Sequence, residues 1–185
     1  MAVPADPVGF ARSVGIDPDP WQTEVLASGH PRKILCCGRQ TGKSTVGGLL
    51  AIHKALTMPG ATVLVVAPGE RQAKLLFSKA ASLYKQAGFP LPAHSERRTG
   101  LELSNGSVIE ALPAVERTTR GYSVDLLLVD EAATLADLEG LDAEAEARAV
   151  VRIEQCDDHR VVYTALIAGA PPTVRACLVH RLNDE

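Results

Sequence analysis

The segment Cys37-Gly38-Arg39-Gln40-Thr41-Gly42-Lys43-Ser44 constrains this chain more than any other stretch of it. It follows the apolar run Lys33-Ile34-Leu35-Cys36-Cys37. It precedes a stretch in which Val46, Leu49, Leu50 and Leu56 lie on or near one stripe until Pro59-Gly60 intervenes. The first reads as a buried strand, the second as a helix from near residue 42 to about residue 57. A loop between them can wrap its backbone N–H groups round phosphates at the helix N-terminus, where the helix dipole favours anions. Gly42 lets the backbone approach closely, Lys43 reaches the β- and γ-phosphates, and the Ser44 hydroxyl can ligate Mg²⁺. The general pattern opens with a glycine where this chain has Cys37.

A second element answers the first. In Asp125-Leu126-Leu127-Leu128-Val129-Asp130-Glu131, four apolar residues bury a strand and bring two carboxylates out at its end. Asp130 is expected to hold Mg²⁺, largely through water, and Glu131 to polarise the attacking water as general base. An Asp-Glu-Ala sequence also suits a plain helix start, because acidic residues favour a first turn. The lysine-bearing loop upstream selects the catalytic reading.

The remaining pattern alternates strands with helices. Residues 62–67 form an apolar run closed by Pro68-Gly69, residues 70–87 read as a helix with Leu76, Lys79, Ala80 and Leu83 inward, and residues 101–103 and 108–112 suit a hairpin round Asn105-Gly106. An acidic, alanine-rich helix is expected after Asp130-Glu131, to about residue 152, with a further strand at 160–164. Residues 1–20 carry four prolines, Pro4, Pro7, Pro18 and Pro20, and read as an irregular lead-in. Residues 21–185 then make one α/β domain: a mostly parallel central sheet with helices on both faces, a three-layer α/β/α sandwich with its ligand at the carboxyl ends of the strands. Trp21-Gln22 opens a short helix before the first strand, and Gln22 could read an adenine edge or simply face solvent. His53 sits among leucines and reads as a satisfied, semi-buried histidine.

Composition narrows the partners. A chain of 185 residues has little room for a second core. Its net charge of −3 exerts no global pull on nucleic acid, so any DNA contact needs a local basic patch. Cys36, Cys37, Cys156 and Cys177 have no CxxC spacing and read as small thiols in a reducing cytosol. No apolar stretch approaches the roughly 20 residues that span a bilayer, and the N-terminus lacks the pattern of a signal peptide.

With those residues in place, the chain resembles the ATPase domain of the phage terminase large subunit, a P-loop NTPase of RecA/terminase-like fold and of the additional-strand, catalytic-glutamate class. The family's Walker A often lacks the first glycine and carries Arg-Gln before Gly-Lys, as Arg39-Gln40-Thr41-Gly42-Lys43-Ser44 does. Its upstream glutamine motif is similar to Trp21-Gln22, and its second strand and following helix resemble residues 63–68 and 70–77, with Gln72-Ala73 in place. Leu103-Ser104-Asn105-Gly106-Ser107 is similar to its Asn-Gly-Ser hairpin, Thr119-Arg120-Gly121-Tyr122-Ser123 to the stretch before its Walker B, and Asp130-Glu131-Ala132-Ala133 to Walker B itself.

The resemblance covers residues 20 to about 135. It implies a Mg²⁺-dependent ATP hydrolase that drives double-stranded DNA into a procapsid. Its nucleotide site would comprise Gln22, Gly38, Arg39, Gln40, Thr41, Gly42, Lys43, Ser44 and Thr45. Arg39 would sense phosphate, and Arg120 would be offered to a neighbouring subunit's γ-phosphate in a homo-oligomeric ring. The portal protein and small terminase subunit are the implied partners, and the host cytoplasm the implied location, with no membrane. The family's coupling motif ends the strand after Walker B, and the nearest candidate is Thr164, without the usual following proline. Residues 136–185 match the family poorly, and no nuclease domain is expected. Two alternatives stand beside this reading: another helicase-like, nucleic-acid-dependent ATPase, or a truncated remnant that only binds nucleotide or partners.

Overall fold

A computed structural model describes residues 3–37, 40–114, 123–131, 150–155 and 162–166. Two helices lead in: α1 (Pro7–Ser13) and α2 (Pro20–Ala27). The strand β1 (Arg32–Cys37) feeds α3 (Lys43–Thr57), and β2 (Thr62–Ala67) feeds α4 (Glu70–Gln86). Then come β3 (Ala93–Arg97), β4 (Gly100–Leu103), β5 (Val108–Pro113), β6 (Leu126–Asp130), β7 (Val150–Gln155) and β8 (Val162–Leu166). All eight strands join one sheet in the order β3-β4-β5-β2-β6-β7-β1-β8. From β5 to β1 the neighbours are parallel, while β3, β4 and β8 add antiparallel pairings at the two margins.

Alternation along the strands sorts the core into two clusters. Val63, Val65, Leu126, Leu128, Val151 and Ile153 face one side with the buried residues of all four described helices. Leu64, Val66, Leu127, Val129 and Val150 are buried on the other. Burial on both faces is what a layered α/β fold demands of its central strands. Gly47 and Gly48 in α3 admit close neighbours: a Cβ on Gly47 would meet Ile153 Cδ1 at 3.0 Å, and one on Gly48 would meet the Ala80 backbone nitrogen of α4 at 3.1 Å. Lys79, expected on the inner stripe, lays its Cβ 3.2 Å from that same Gly48 position while the residue as a whole is exposed.

Three expectations need correcting. The lead-in is not irregular throughout, since Pro7 opens α1 and the Asp6 carboxylate caps it, accepting from Gly9 N–H at 2.7 Å. Pro at the first helical position starts a helix rather than breaking one. The helix drawn to residue 152 cannot reach that far, because residues 150–155 form β7, whose β-branched Val150, Val151 and Ile153 are buried. Consequently the strand after β6 ends at Gln155, whereas Thr164 lies within β8, opposite Ile34 and antiparallel to β1. Thr164 therefore does not occupy the end of the strand that follows β6. Residues 132–149, where most of that helix was expected, lie outside the described residues.

The hairpin turn has a structural task. Asn105 Nδ2 donates to the Ala55 carbonyl of α3 at 2.9 Å, and its Oδ1 accepts from Ser107 N–H at 3.0 Å. The buried Ser107 hydroxyl donates to the Met58 carbonyl at 2.8 Å and accepts from Ala61 N–H at 3.1 Å. Together they fasten the α3–β2 connection to the sheet. Ser107→Ala leaves both backbone groups without that partner and is expected to lower stability by about 1–3 kcal/mol in urea denaturation.

The N-terminal segment is fastened to α3 through His53. Its Nε2 lies 3.0 Å from the Pro4 carbonyl, which can only accept, so the ring donates there, and it stacks at a tilt 5.6 Å from Phe10. Burial lowers the His53 pKa below its ordinary 6.5, aided by the Lys54 charge; the hydrogen bonds to Pro4 and Ala5 and the Asp6 charge oppose the shift. The unfolded state thus binds the proton more readily, so this contribution is present above about pH 6.5 and is lost as pH falls through the lowered folded value. Thermal melts should show Tm falling on acidification from pH 7 to 5, and His53→Gln, which keeps a donor without titrating, should flatten that dependence.

Candidate nucleotide site

β1 ends at Cys37 and α3 begins at Lys43, so the loop between them sits at the carboxyl edge of the parallel strands. Gly42 caps the helix at φ +89°, a conformation that side-chain-bearing residues avoid. Gln40 is held at φ +61°. Gly42 also leaves room for Gln22: a Cβ there would lie 2.6 Å from Gln22 Nε2. Gln22 donates from Nε2 to the Thr41 carbonyl at 3.1 Å and accepts from Asp19 N–H at Oε1, also at 3.1 Å. The glutamine expected near the loop therefore grips the loop's backbone, while Trp21 beside it is buried in the core. Thr45 follows in the first turn of α3, its N–H bonded to the Gly42 carbonyl at 2.9 Å.

Lys43 folds back across the loop and donates from Nζ to the Cys37 carbonyl at 2.6 Å. Its charge is also felt by Asp130, at the end of β6. Between these strands lies β7, with Ile153 paired to Leu35 on one side and to Asp130 on the other. Two strand spacings put the backbones of β1 and β6 roughly 10 Å apart. That gap separates the loop bearing Lys43 from Asp130 and Glu131.

Burial pushes the Asp130 carboxyl above the usual carboxylate range, with the Glu131 charge adding; the Glu131 N–H, donating to Oδ1 at 3.1 Å, and the Lys43 ammonium pull the other way. Glu131 itself is exposed and sits at φ +50°, which a non-glycine residue seldom adopts. A partly desolvated carboxylate at the edge that also carries Ser44 suits a hard, oxygen-seeking dication such as Mg²⁺. Ser44 and Asp130 are the residues that would hold it.

The structure thus gathers Gln22, Gln40, Thr41, Gly42, Lys43, Ser44, Thr45, Asp130 and Glu131 at one sheet edge. Gly38, Arg39 and Arg120 lie outside the described residues. The inserted β7 is the component the sequence pattern missed; Val150-Val151-Arg152-Ile153 carried the β-branched signal that could have revealed it.

A parallel α/β sheet with a lysine-bearing glycine loop after one strand, an Asp-Glu pair after another and an extra strand between them defines a helicase-like P-loop NTPase fold. The family model described as RNA cytidine acetyltransferase NAT10/TcmA, helicase domain, matches residues 34–148. The chain belongs to that helicase-domain family.

Phage terminases are its relatives as well. The terminase large subunit of Escherichia phage T5 is 31% identical over 137 residues, which is 71% of this chain and 31% of that protein. The tRNA(Met) cytidine acetyltransferase TmcA of Haloferax volcanii is 34% identical over 112 residues, 60% of this chain and 14% of that one. In fold, the large terminase ATPase domain of Thermus phage P74-26 superimposes with a TM-score of 0.64 at 22% identity, covering 79% of this chain and 68% of that one. The chain spans about a third of the length of the terminase large subunits it matches. Among the described residues, no helix is long and apolar enough to cross a membrane.

Proposed function

We propose that this chain is the ATP-hydrolysing module of a terminase-type packaging motor, which moves double-stranded DNA into a procapsid. The observation that supports this most is the facing of Lys43 and Asp130 across the inserted β7, in a chain whose relatives include terminase large subunits. In the proposed reaction the N–H groups of the loop and of the first turn of α3 cradle the phosphates, and Lys43 leaves the Cys37 carbonyl to neutralise the β- and γ-oxygens. Glu131 orients the attacking water and takes its proton. Ser44 and Asp130 would hold Mg²⁺, which would supply positive charge to the phosphates. Gln22 contributes to the adenine side. Arg39 senses the γ-phosphate, and Arg120 is donated in trans to the next subunit of a ring. The portal and small terminase subunit are the proposed partners, in the host cytoplasm.

A second reading has an observation of its own. The match to a helicase domain and the likeness to a tRNA acetyltransferase favour a nucleic-acid-dependent ATPase outside packaging. ATP turnover by the purified chain, measured alone and with duplex DNA, tRNA or portal-bearing procapsids, separates the two. Stimulation by procapsids with DNA supports the packaging motor, and stimulation by tRNA alone supports the second reading. Nucleotide binding with no turnover under any condition would sink both.

A further inference from the structure

A chain with net charge −3 needs a local basic patch to hold nucleic acid, and the structure supplies one away from the nucleotide loop. A groove of about 420 Å³ runs between α4 and the β3–β4 corner, walled by Lys74 and Lys85 on the helix and by Arg97 and Arg98 on the corner. We propose that this groove seats one phosphate backbone of double-stranded DNA. The proposal rests on reading the chain as a DNA-dependent ATPase.

Four cations here face two carboxylates, Glu70 and Glu96. Glu70 accepts from Lys74, and Glu96 pairs with Lys85 at 2.9 Å. Lys85–Glu96 is solvent-exposed and Lys74–Glu70 is open on its carboxylate side, so water screens both and phosphate oxygens can exchange for the carboxylates. Arg97 and Arg98 are exposed; the Glu70 carboxyl is held below its usual range chiefly by the hydrogen bond and charge of Lys74, with Arg98 adding a smaller pull. The two lysines stand eleven positions apart on a straight helix, hence about 16 Å. That length spans about five 3.4 Å steps of one duplex strand. Between them Ser78, Ala81 and Ser82 are small, which lets a backbone come close. The groove is too small for a whole duplex, so a single strand's phosphates would enter it while the rest of the duplex lies outside.

Its orientation ties it to the ATP site. β3 runs in the same direction as β5 and β2, because β4 is antiparallel to both of its neighbours. The corner bearing Arg97 and Arg98 therefore lies at the same sheet edge as the nucleotide loop. α4 also starts at that edge, directly after β2. DNA held in the groove would press on elements that emerge beside the nucleotide.

The test is fluorescence anisotropy of the full chain with a labelled 20-base-pair duplex, titrated at several salt concentrations. Polyglutamate serves as competitor, and Arg12→Glu on α1 as a charge change outside the groove. Arg97→Ala/Arg98→Ala should reduce the slope of log affinity against log salt by about two, and cost about tenfold more affinity at 50 mM than at 200 mM salt. Arg12→Glu should leave that slope unchanged. A double variant that melts like the parent yet keeps its affinity and slope overturns the proposal. So does a parent chain that binds no duplex, or polyglutamate binding as tightly as DNA. If the variant fails to fold, Lys85→Gln is read in its place, with a slope change of about one expected. Loss of DNA affinity in a chain without ATP turnover would keep the groove and remove the motor. Turnover with unaltered DNA affinity in the variant would do the reverse.

Discussion

Glu131→Gln is expected to slow ATP hydrolysis about 100- to 10,000-fold while leaving nucleotide binding near that of the parent chain. The size of the loss is that of a general base removed from its proton. Binding should survive because Glu131 lies at the end of β6, across β7 from the loop and helix proposed to grip the phosphates. Lys43→Ala should behave differently. Its ammonium leans on both the Cys37 carbonyl and the Asp130 charge, so its loss weakens nucleotide binding as well as turnover. Single-turnover kinetics beside equilibrium binding of a labelled ATP analogue separate the two effects. Full turnover in Glu131→Gln would remove Glu131 from its assigned role.

The largest effect on stability is expected at Gly48. A Cβ there meets Lys79 Cβ and Leu83 Cδ1 at 3.2 Å and the Ala80 backbone nitrogen at 3.1 Å. Side-chain atoms can shift, but the backbone nitrogen belongs to a helix packed along α3. Alanine recovers about 1 kcal/mol of helix propensity over glycine, which partly offsets that crowding. Valine adds two methyl groups and should cost about 3 kcal/mol, the upper end of what an overpacked core imposes. Urea denaturation of Gly48→Val beside Gly48→Ala measures both. If valine proves no worse than alanine, α4 yields more easily than its contacts suggest. Because α3 also carries Lys43 and Ser44, the valine variant should lose nucleotide affinity along with stability.

Much of this architecture was legible locally. The strand–loop–helix at residues 32–57, the buried strand before Asp130-Glu131 and the Asn105-Gly106 hairpin each announce themselves within a dozen residues, through apolar runs and turn chemistry. The features that escaped have particular causes. In α1, Pro7 read as a breaker, although proline fits the first turn, where no N–H partner is required. β3 carries His94-Ser95-Glu96-Arg97 at a margin of the sheet and shows no apolar alternation to read. β7 was absorbed into a helix because it follows an alanine- and glutamate-rich stretch, and only its pairing with β1 and β6 discloses what its valines are for. The Gln22 grip on the Thr41 carbonyl joins residues far apart in the sequence, which no local window can see.

The late arrival of β7 bears on how the chain is made. β1 leaves the ribosome early, yet its sheet partners are β7 and β8, so Arg32 waits for Val150 before it gains a neighbour. β2, β5 and β6 can zip together meanwhile, leaving β6 with an unpaired flank. A nascent chain halted before residue 150 would therefore carry both flanks of β1 and one flank of β6 unpaired, with a slot one strand wide between them, the kind of intermediate that recruits stray strands. Insertion of that one strand closes the β6 flank and the facing flank of β1 at once, and β8 then covers the far side of β1. It also sets the loop bearing Lys43 opposite Asp130 and Glu131, so under the proposed function the capture of ATP would be a late checkpoint in synthesis rather than a property of the first segment made.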